Sequence, residues 1–520
     1  MLNVLPVGAI RSASGAPVGR PLPGRDKVVL FYPPYDGPPL GAPLSLLALA
    51  GVLRDAGFRV VLIDASIHTD FLARVVRESS EALCLGISVL TGPMIRGAIA
   101  AAKAVRSNRP ELPVIFGGWH PSLEPVQTVR EPYVDIVVRG QGEITMLELA
   151  QAFSADHSVA SIAGIHWKQG NEVQANPDRT VAPIGSFAPP AYELADFDAY
   201  EPLNGHRKLA YATSVGCPYA CNYCTDMVVY RRRFNAYDAS RVVDELVDLV
   251  RRHRIDEVAL LDSNFPVDVK RALAIARGIL DSGVKFQWTF QASTDFLCRM
   301  TQDEVNLLGQ SGVKVMGFGT ESTSARVLRL MNKRHQRVDD IYETARKAHI
   351  AGIHINFNLI LGYPGETEDD RIETFQTMSD IVQRYDNVQF SPNLFTPYPG
   401  IPIWPQLREL GVREPQTLEE WIQLPLSANA LPWLHGEELE RLKRMLDYFL
   451  LNGKVHRRHD RESFKNAGVR MLVKHPVRWR VRSSHYGFPW ELWVSKLSGP
   501  LASRRSLVTG QDLPEQAAAC

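Results

Sequence analysis

A chain of 520 residues that is 45% hydrophobic, 9% aromatic and 22% charged has room for two or three ordinary globular domains. Its formal net charge of +1 offers no global field to attract nucleic acid or an anionic membrane. No apolar run of about twenty residues is present to span a bilayer, and six cysteines in so long a chain do not make a disulfide scaffold.

Residues 1–25 combine Arg11 and Arg20 with many Gly, Pro and Ala. They lack the compact apolar core of a secretory signal and read as a flexible arm. In residues 26–155, five short apolar runs alternate with helix-like segments: Val28–Tyr32, Arg59–Ile63, Ala82–Ser88, Pro113–Phe116 and Val134–Val138. Helices are expected at Ser45–Ala56, Pro93–Val105, Glu124–Val129 and Glu143–Phe153. Such alternation predicts a doubly wound parallel sheet, which binds ligands beyond the carboxyl ends of its strands. The segments after four of the strands are correspondingly turn-like: Pro33–Gly37, Ser88–Gly92, Gly117–Pro121 and Arg139–Glu143. The G-x-G-x-x-G expected of a dinucleotide domain after the first strand is absent. Residues 156–208 read as a linker. It contains a β-hairpin, Ile162–Trp167 and Glu172–Gln174, followed by a proline-rich extended crossing.

At residues 209–404 an apolar run, Leu209–Thr213, leads into Cys217, Cys221 and Cys224, spaced C-x3-C-x2-C, with Tyr223 before the last. A strand feeding a tight cysteine loop can project three thiolates toward one point. Thiolates are the ligands of iron–sulfur clusters, and three of them leave the fourth iron of a four-iron cluster open. A structural zinc site ordinarily takes four ligands in paired spacings; His206 is the one nearby histidine, and no second C-x2-C follows. Cys84 and Cys298 read as buried apolar residues and Cys520 as an inert terminus. Free thiols suit a reducing cytoplasm.

Strands are then expected at Glu257–Leu261, Lys285–Gln291, Lys314–Gly319, His354–Leu361 and Val388–Leu394, with a helix between each pair. Counting the strand before the cysteines gives a partial six-unit βα barrel, whose chemistry belongs at the strand carboxyl ends. Polar or turn residues stand there: Asp262–Asn264, Gln291–Ser293, Gly317–Ser322, Leu361–Thr367 and Phe395–Gly400. Asp262 fits either a ligand contact or a loop-stabilising carboxylate, and Glu366 fits a cap on the next helix. Residues 405–503 read as a mainly helical cap over the barrel mouth. The alternation of Arg478, Arg480 and Arg482 with apolar residues, then Phe488–Trp493, also fits a peripheral membrane or lipid-substrate surface. Residues 504–520 read as disordered.

The cysteine triad and the order of strand-end motifs behind it resemble the radical S-adenosylmethionine (SAM) superfamily. The first domain resembles the cobalamin-binding domain that precedes many of its members. Together, over residues 27–400, the chain resembles the cobalamin-dependent branch. The resemblance implies a 4Fe-4S cluster on Cys217, Cys221 and Cys224, and SAM against Tyr223, Glu321, Ser322 and Gly362. It implies cobalamin among Tyr35, Ser88, Thr91, Gly117, Gly118, His120, Gly140, Gly142 and Glu143. The loop after the first strand lacks the D-x-H-x-x-G histidine, so no histidine ligand to cobalt is expected. His120 is expected to bond backbone or the cofactor's tail. The activity implied is methylation of an unactivated carbon of a small molecule, with an electron donor such as flavodoxin or ferredoxin as partner. Cyclisation or rearrangement without methyl transfer is the other outcome in this branch. A non-catalytic sensor would bring an output module or a basic face, and neither is evident. A radical SAM enzyme with an empty first domain would purify without cobalamin.

Overall fold

The computed structural model describes residues 20–35, 39, 41–170, 172–423, 431–456 and 467–495. Of the arm expected at 1–25, all but residues 20–25 lies outside the described residues, as does the whole tail at 504–520.

The first sheet has strands β1 (Lys27–Tyr32), β2 (Arg59–Asp64), β3 (Cys84–Ser88), β4 (Val114–Gly117), β5 (Ile136–Val138), β6 (Ile165–Gln169) and β7 (Glu172–Ala175), in the order β2-β1-β3-β4-β5-β6-β7. Strands β1 to β5 are parallel, and β1 and β3 are almost wholly buried, as strands covered by helices on both faces should be. The predicted helices are present at Leu44–Asp55, Met94–Asn108, Pro125–Arg130 and Glu143–Ser154. A further helix, Phe71–Glu78, was not anticipated; it buries only Val75 completely, so its sequence carries little apolar signal.

The hairpin does not stand apart in a linker. Strand β6 pairs antiparallel with β5 and extends the first sheet to seven strands. The proline-rich crossing also packs on this domain. A Cβ on Gly51 would lie 2.2 Å from the Pro189 carbonyl oxygen, the Ala191 N–H donates to the Leu47 carbonyl at 2.9 Å, and the Tyr200 hydroxyl donates to Asp64.

The second sheet begins with β8 (Lys208–Tyr211). A two-stranded ribbon, β9 (Ser214–Val215) with β10 (Asn235–Ala236), brackets the cysteine loop. Strands β11 (Glu257–Leu260), β12 (Gln287–Ser293), β13 (Val313–Glu321), β14 (His354–Leu361) and β15 (Val388–Leu394) complete six parallel strands in the order β15-β14-β13-β12-β11-β8. Helices intervene at Ala239–His253, Val269–Asp281, Gln302–Gln310, Val338–Ile350 and Glu368–Arg384. The order runs straight across the sheet, as expected of an open partial barrel built from successive right-handed βα units.

The carboxyl-terminal region is helical: Gly436–His456, Ala467–Ser483 and Trp490–Ser495. Its two long helices pack against Glu368–Arg384, on the outside of the last βα unit. Contact with the barrel mouth comes from the segment before them. The Trp433 indole donates to the Gly362 carbonyl at 3.0 Å, and Leu431 and Leu434 close over Gly362. The expected cap is therefore a brace on one flank with a short foot on the mouth.

Candidate active site

Both sets of strand ends open onto one cavity of about 430 Å³. From the first domain it is lined by Tyr35, Ser88, Gly117, Gly118, Gly140, Gly142 and Glu143, all expected from the sequence. From the second it is lined by Ser214, Asp262, Ser263 and Gln291 at strand ends, with Tyr230 from the cysteine loop's flank. Trp119 and Tyr230 meet edge to face at 6.0 Å, so an aromatic contact bridges the domains at the cavity wall. Trp119, Gln141 and Tyr230 were not singled out from the sequence; the Trp119 signal was its place directly after the Gly-Gly pair.

The first-domain wall is bare by construction. Gly118 has φ +93°, and a Cβ there would sit 2.9 Å from the Val89 amide nitrogen and 3.0 Å from its carbonyl oxygen. That turn needs glycine. A Cβ on Gly117 would meet nothing closer than Val138 at 3.8 Å, so that position is open to the cavity rather than crowded. Ser88 faces the same space, with its hydroxyl 3.2 Å from Ser45 Oγ. Glu143 stands at the start of its helix, and burial raises its carboxyl above the ordinary range.

Thr91 and His120 do not line the cavity. They bond to each other, Thr91 Oγ1 to His120 Nδ1 at 3.1 Å. The His120 ring is fully buried and packs edge-on against Trp421 at 6.0 Å. Burial pushes its pKa down to about 3, so it is neutral at physiological pH. Together they stand as struts behind the Gly117–Gly118 turn.

The cysteine loop lies one layer behind the other wall. Ser263, on the cavity, donates to the Asp226 carboxylate, which lies beside the Cys217 backbone. Asp226 is buried, and its carboxyl is pushed up to about 6. It is a site residue the sequence reading missed, although it follows Cys224 by only two positions. Asp262 accepts from the Thr213 N–H at 2.8 Å and hydroxyl at 2.5 Å, and from Ser214. It fixes the entry to the loop while still lining the cavity. Asn222 and Asn332 stitch the loop to the turn after β13, through Asn222 Nδ2 to the Leu330 carbonyl at 2.9 Å and Asn332 Nδ2 to the Ala220 carbonyl at 2.7 Å.

Cys217, Cys221 and Cys224 are free thiols. They stand on one loop, and among the described residues no group of three His, Cys, Asp or Glu is placed to hold a single metal ion. A cubane fits this better than a lone ion, because each thiolate takes a different iron of the cluster. Burial pushes the Cys217 thiol up to about 11. The donor set fits a four-iron cluster.

Beside the loop, the Tyr223 hydroxyl donates to Glu321 Oε1 at 3.0 Å. Lys333 Nζ lies 3.1 Å from the same oxygen and 3.3 Å from the Tyr223 hydroxyl. All three are buried. Glu321 sits at a register break in the β13–β14 ladder with φ +60°, a costly conformation for a non-glycine residue. The bulge turns its carboxylate toward Tyr223. Lys333 was not anticipated; it lies twelve residues on, past a short helix, and no spacing rule points to it.

Ser322 and Gly362 are each held by protein contacts. The Ser322 side chain is wholly buried, with its hydroxyl 3.2 Å from Thr374 Oγ1 and accepting from the Ser324 N–H at 3.1 Å, so it secures the turn. The space beside Gly362 is filled by Leu431 and Leu434, whose methyls would be 2.9 and 3.0 Å from a Cβ. Glu366 is not a helix cap. Thr367 and Asp370 form the capping box of that helix, and Glu366 accepts from the Gly362 N–H at 2.6 Å while pairing with the buried Arg371.

The B12 binding domain family matches residues 27–150, and the Radical SAM superfamily matches residues 211–378. The chain is a radical SAM enzyme with a B12-binding domain. Its cofactor set is the cluster, SAM and cobalamin. Within this family it is 29% identical over 393 residues to an uncharacterized methyltransferase of Pyrococcus horikoshii, covering 73% of this chain and 82% of that one. It is 26% identical over 286 residues to the cobalamin-dependent radical SAM methyltransferase TokK of Streptomyces tokunonensis, covering 52% and 41%. It is also 26% identical over 385 residues to the anaerobic magnesium-protoporphyrin IX monomethyl ester cyclase of Cereibacter sphaeroides, covering 71% and 60%. The fold is shared with the methyltransferase TsrM of Kitasatospora setae, solved with cobalamin and a [4Fe-4S] cluster (TM-score 0.64, 19% identity, 74% of this chain and 75% of that one). It is shared too with OxsB, solved with aqua-cobalamin and SAM (TM-score 0.66, 16% identity, 94% and 76%). Among the described residues no helix is long and apolar enough to cross a membrane.

Proposed function

We propose that this enzyme methylates an unactivated carbon of a small-molecule substrate. The observation that carries the reading is the single cavity into which the strand ends of both domains open. A methyl donor and a hydrogen-abstracting centre must reach the same carbon, and only a shared, water-poor chamber allows that. The methyltransferases among the relatives favour methylation over ring closure.

Cys217, Cys221 and Cys224 would hold the cluster. Tyr223 and Glu321, with Lys333 positioning the carboxylate, would receive SAM; a carboxylate accepts hydrogen bonds from hydroxyl or ammonium groups without reorienting. Tyr35, Ser88, Gly117, Gly118, Gly140, Gly142 and Glu143 would form the cobalamin wall. When bound, the cluster and SAM supply a 5′-deoxyadenosyl radical, and cobalamin supplies the methyl group. The protein's own part is placement. Asp262 locks the start of the cysteine loop, Ser263 anchors Asp226 beside it, and Trp119 against Tyr230 holds the two walls together. An electron donor of the flavodoxin or ferredoxin kind and a reducing cytoplasm complete the reading.

The test is anaerobic reconstitution with iron, sulfide and hydroxocobalamin, followed by metal counts and incubation with SAM carrying a labelled methyl group. About four irons and one cobalt per chain are expected, with label appearing in a product heavier by one methyl group. Iron without cobalt would sink the methyltransferase reading. Both metals with products of unchanged carbon count would point to cyclisation or rearrangement.

A further inference from the structure

Charge in this chain is segregated. Residues 454–505 hold 13 Lys and Arg against 3 Asp and Glu, net +10, in a chain whose total is +1; the remainder is therefore net −9. The helix Ala467–Ser483 lies within that segment. Its inward side is Val473, Val477, Arg480 and Val481, all buried. On the opposite side, at 3.6 residues per turn, Lys474, Arg478, Met471, Arg482, Trp479 and Leu472 fall in that order on one arc of roughly 160°. Met471 is 72% exposed, Leu472 57% and Trp479 56%. Large apolar side chains and cations thus share one solvent face, the reverse of an ordinary surface helix.

The loop after the helix adds a second exposed aromatic cluster. Phe488 is 69% exposed and Trp493 54%, their rings in edge contact at 5.2 Å. Phe488 is held outward with φ +35°, a strained backbone for a bulky residue. What holds it is the buried Arg480, which pairs with Glu491 at 2.6 Å and donates to the carbonyls of His485 at 3.1 Å, Phe488 at 2.9 Å, and Gly487. Tyr448 donates to the other Glu491 oxygen at 2.7 Å. A buried ion pair with so many satisfied donors is a rigid mount, and its product is an aromatic tip in water.

We propose that this face docks on an anionic phospholipid bilayer, with Met471, Leu472, Trp479, Phe488 and Trp493 at the headgroup level and Lys474, Arg478 and Arg482 on lipid phosphates. Interleaved cations and aromatic tips on a convex helix face suit an interface that is apolar below and charged above. The surface belongs to the tail and does not depend on the reaction performed in the cavity.

The experiment is flotation of the reconstituted full-length enzyme with vesicles of phosphatidylcholine alone and of phosphatidylcholine mixed with phosphatidylglycerol. Wild type is expected to float with the mixed vesicles and to stay behind with the neutral ones, and high salt is expected to release it. The variant Lys474→Gln, Arg478→Gln, Arg482→Gln should weaken partitioning about a hundredfold, three charges at about fivefold each. Trp479→Ala, Phe488→Ala, Trp493→Ala should lose it with iron and cobalt content unchanged. Equal partitioning of wild type and the charge variant would overturn the proposal, as would absence of wild type from the mixed vesicles. So would vesicle-independent binding to duplex or single-stranded DNA with the same arginine dependence.

Discussion

Strands β3, β4 and β5 reach the cavity with glycine, serine and backbone, with Glu143 beside them, whereas β11 and β12 reach it with Asp262, Ser263 and Gln291, and Glu321 at the end of β13 lies outside the lining. One wall makes room, and the other places charge. The first has room at Gly117 and none at Gly118, and its Glu143 carboxyl is raised by burial. Behind the second, cost is stored in single residues: Glu321 at φ +60°, Asp226 buried beside the cysteine loop, and Lys333 buried against Glu321. Damage to the two walls should therefore look different.

The largest effect is expected from Cys217→Ala, Cys221→Ala, Cys224→Ala, which should remove all bound iron while leaving cobalt, read by metal analysis of the reconstituted protein. Loss of both metals would mean that the walls are not separable. On the bare wall, Gly117→Leu should take cobalt to background while changing unfolding free energy by less than about 1 kcal/mol, because its Cβ has space and only the cavity is invaded. On the charged wall, Lys333→Met should destabilise the apoprotein by about 3–5 kcal/mol in urea, since it strands a buried carboxylate. Adding Glu321→Gln should restore much of that; no recovery would show that Lys333 acts through packing alone.

Behind the bare wall, pH separates strut from ligand. His120, pushed down from 6.5 to about 3, binds its proton less readily folded than unfolded. Its contribution is complete above 6.5 and is lost as pH falls toward 3, by up to a few kcal/mol. Glu124, raised from 4.5 to about 7 by burial and then by Glu414, has the opposite sign: its contribution is complete below 4.5 and gone above 7. Comparing wild type with His120→Asn at pH 7.5 and pH 5 isolates the histidine, and the variant should show the shallower loss toward acid. Gly118→Ala should cost at least about 1–3 kcal/mol in urea, because φ +93° with ψ −164° is a region essentially confined to glycine and a Cβ there would meet the Val89 backbone.

The bare wall was legible in the sequence because its signal is local. A strand's period, followed by Gly-Gly or Gly-x-Gly-Glu, places those residues at a carboxyl end without knowledge of the rest of the fold. The six-strand order of the second sheet was legible for the same reason, to within two or three residues at most ends. The charged wall was legible only where it coincided with the cysteine spacing. Lys333 reaches Glu321 through a turn whose course depends on Asn222 and Asn332, and no periodicity encodes that. Ser322 and Gly362 stood at the right strand ends, but tertiary contacts occupied them: Thr374 for the one, Leu431 and Leu434 for the other. His120 follows β4 as expected, and its packing against Trp421, some three hundred residues away, carries no local signal.

The appended hairpin sets where this protein can be cut. A fragment ending at residue 155 would leave the outer edge of β5 without β6 and the groove beside Leu47 and Gly51 without Pro189 and Ala191. An uncovered parallel edge invites aggregation. A fragment carried through Asn204 would retain the hairpin, the crossing and the Tyr200–Asp64 bond. The smallest autonomous piece of the first half is thus about fifty residues longer than the B12-binding match alone. Limited proteolysis of the intact chain should find its first cuts outside 156–204, although that stretch contains long runs without regular structure.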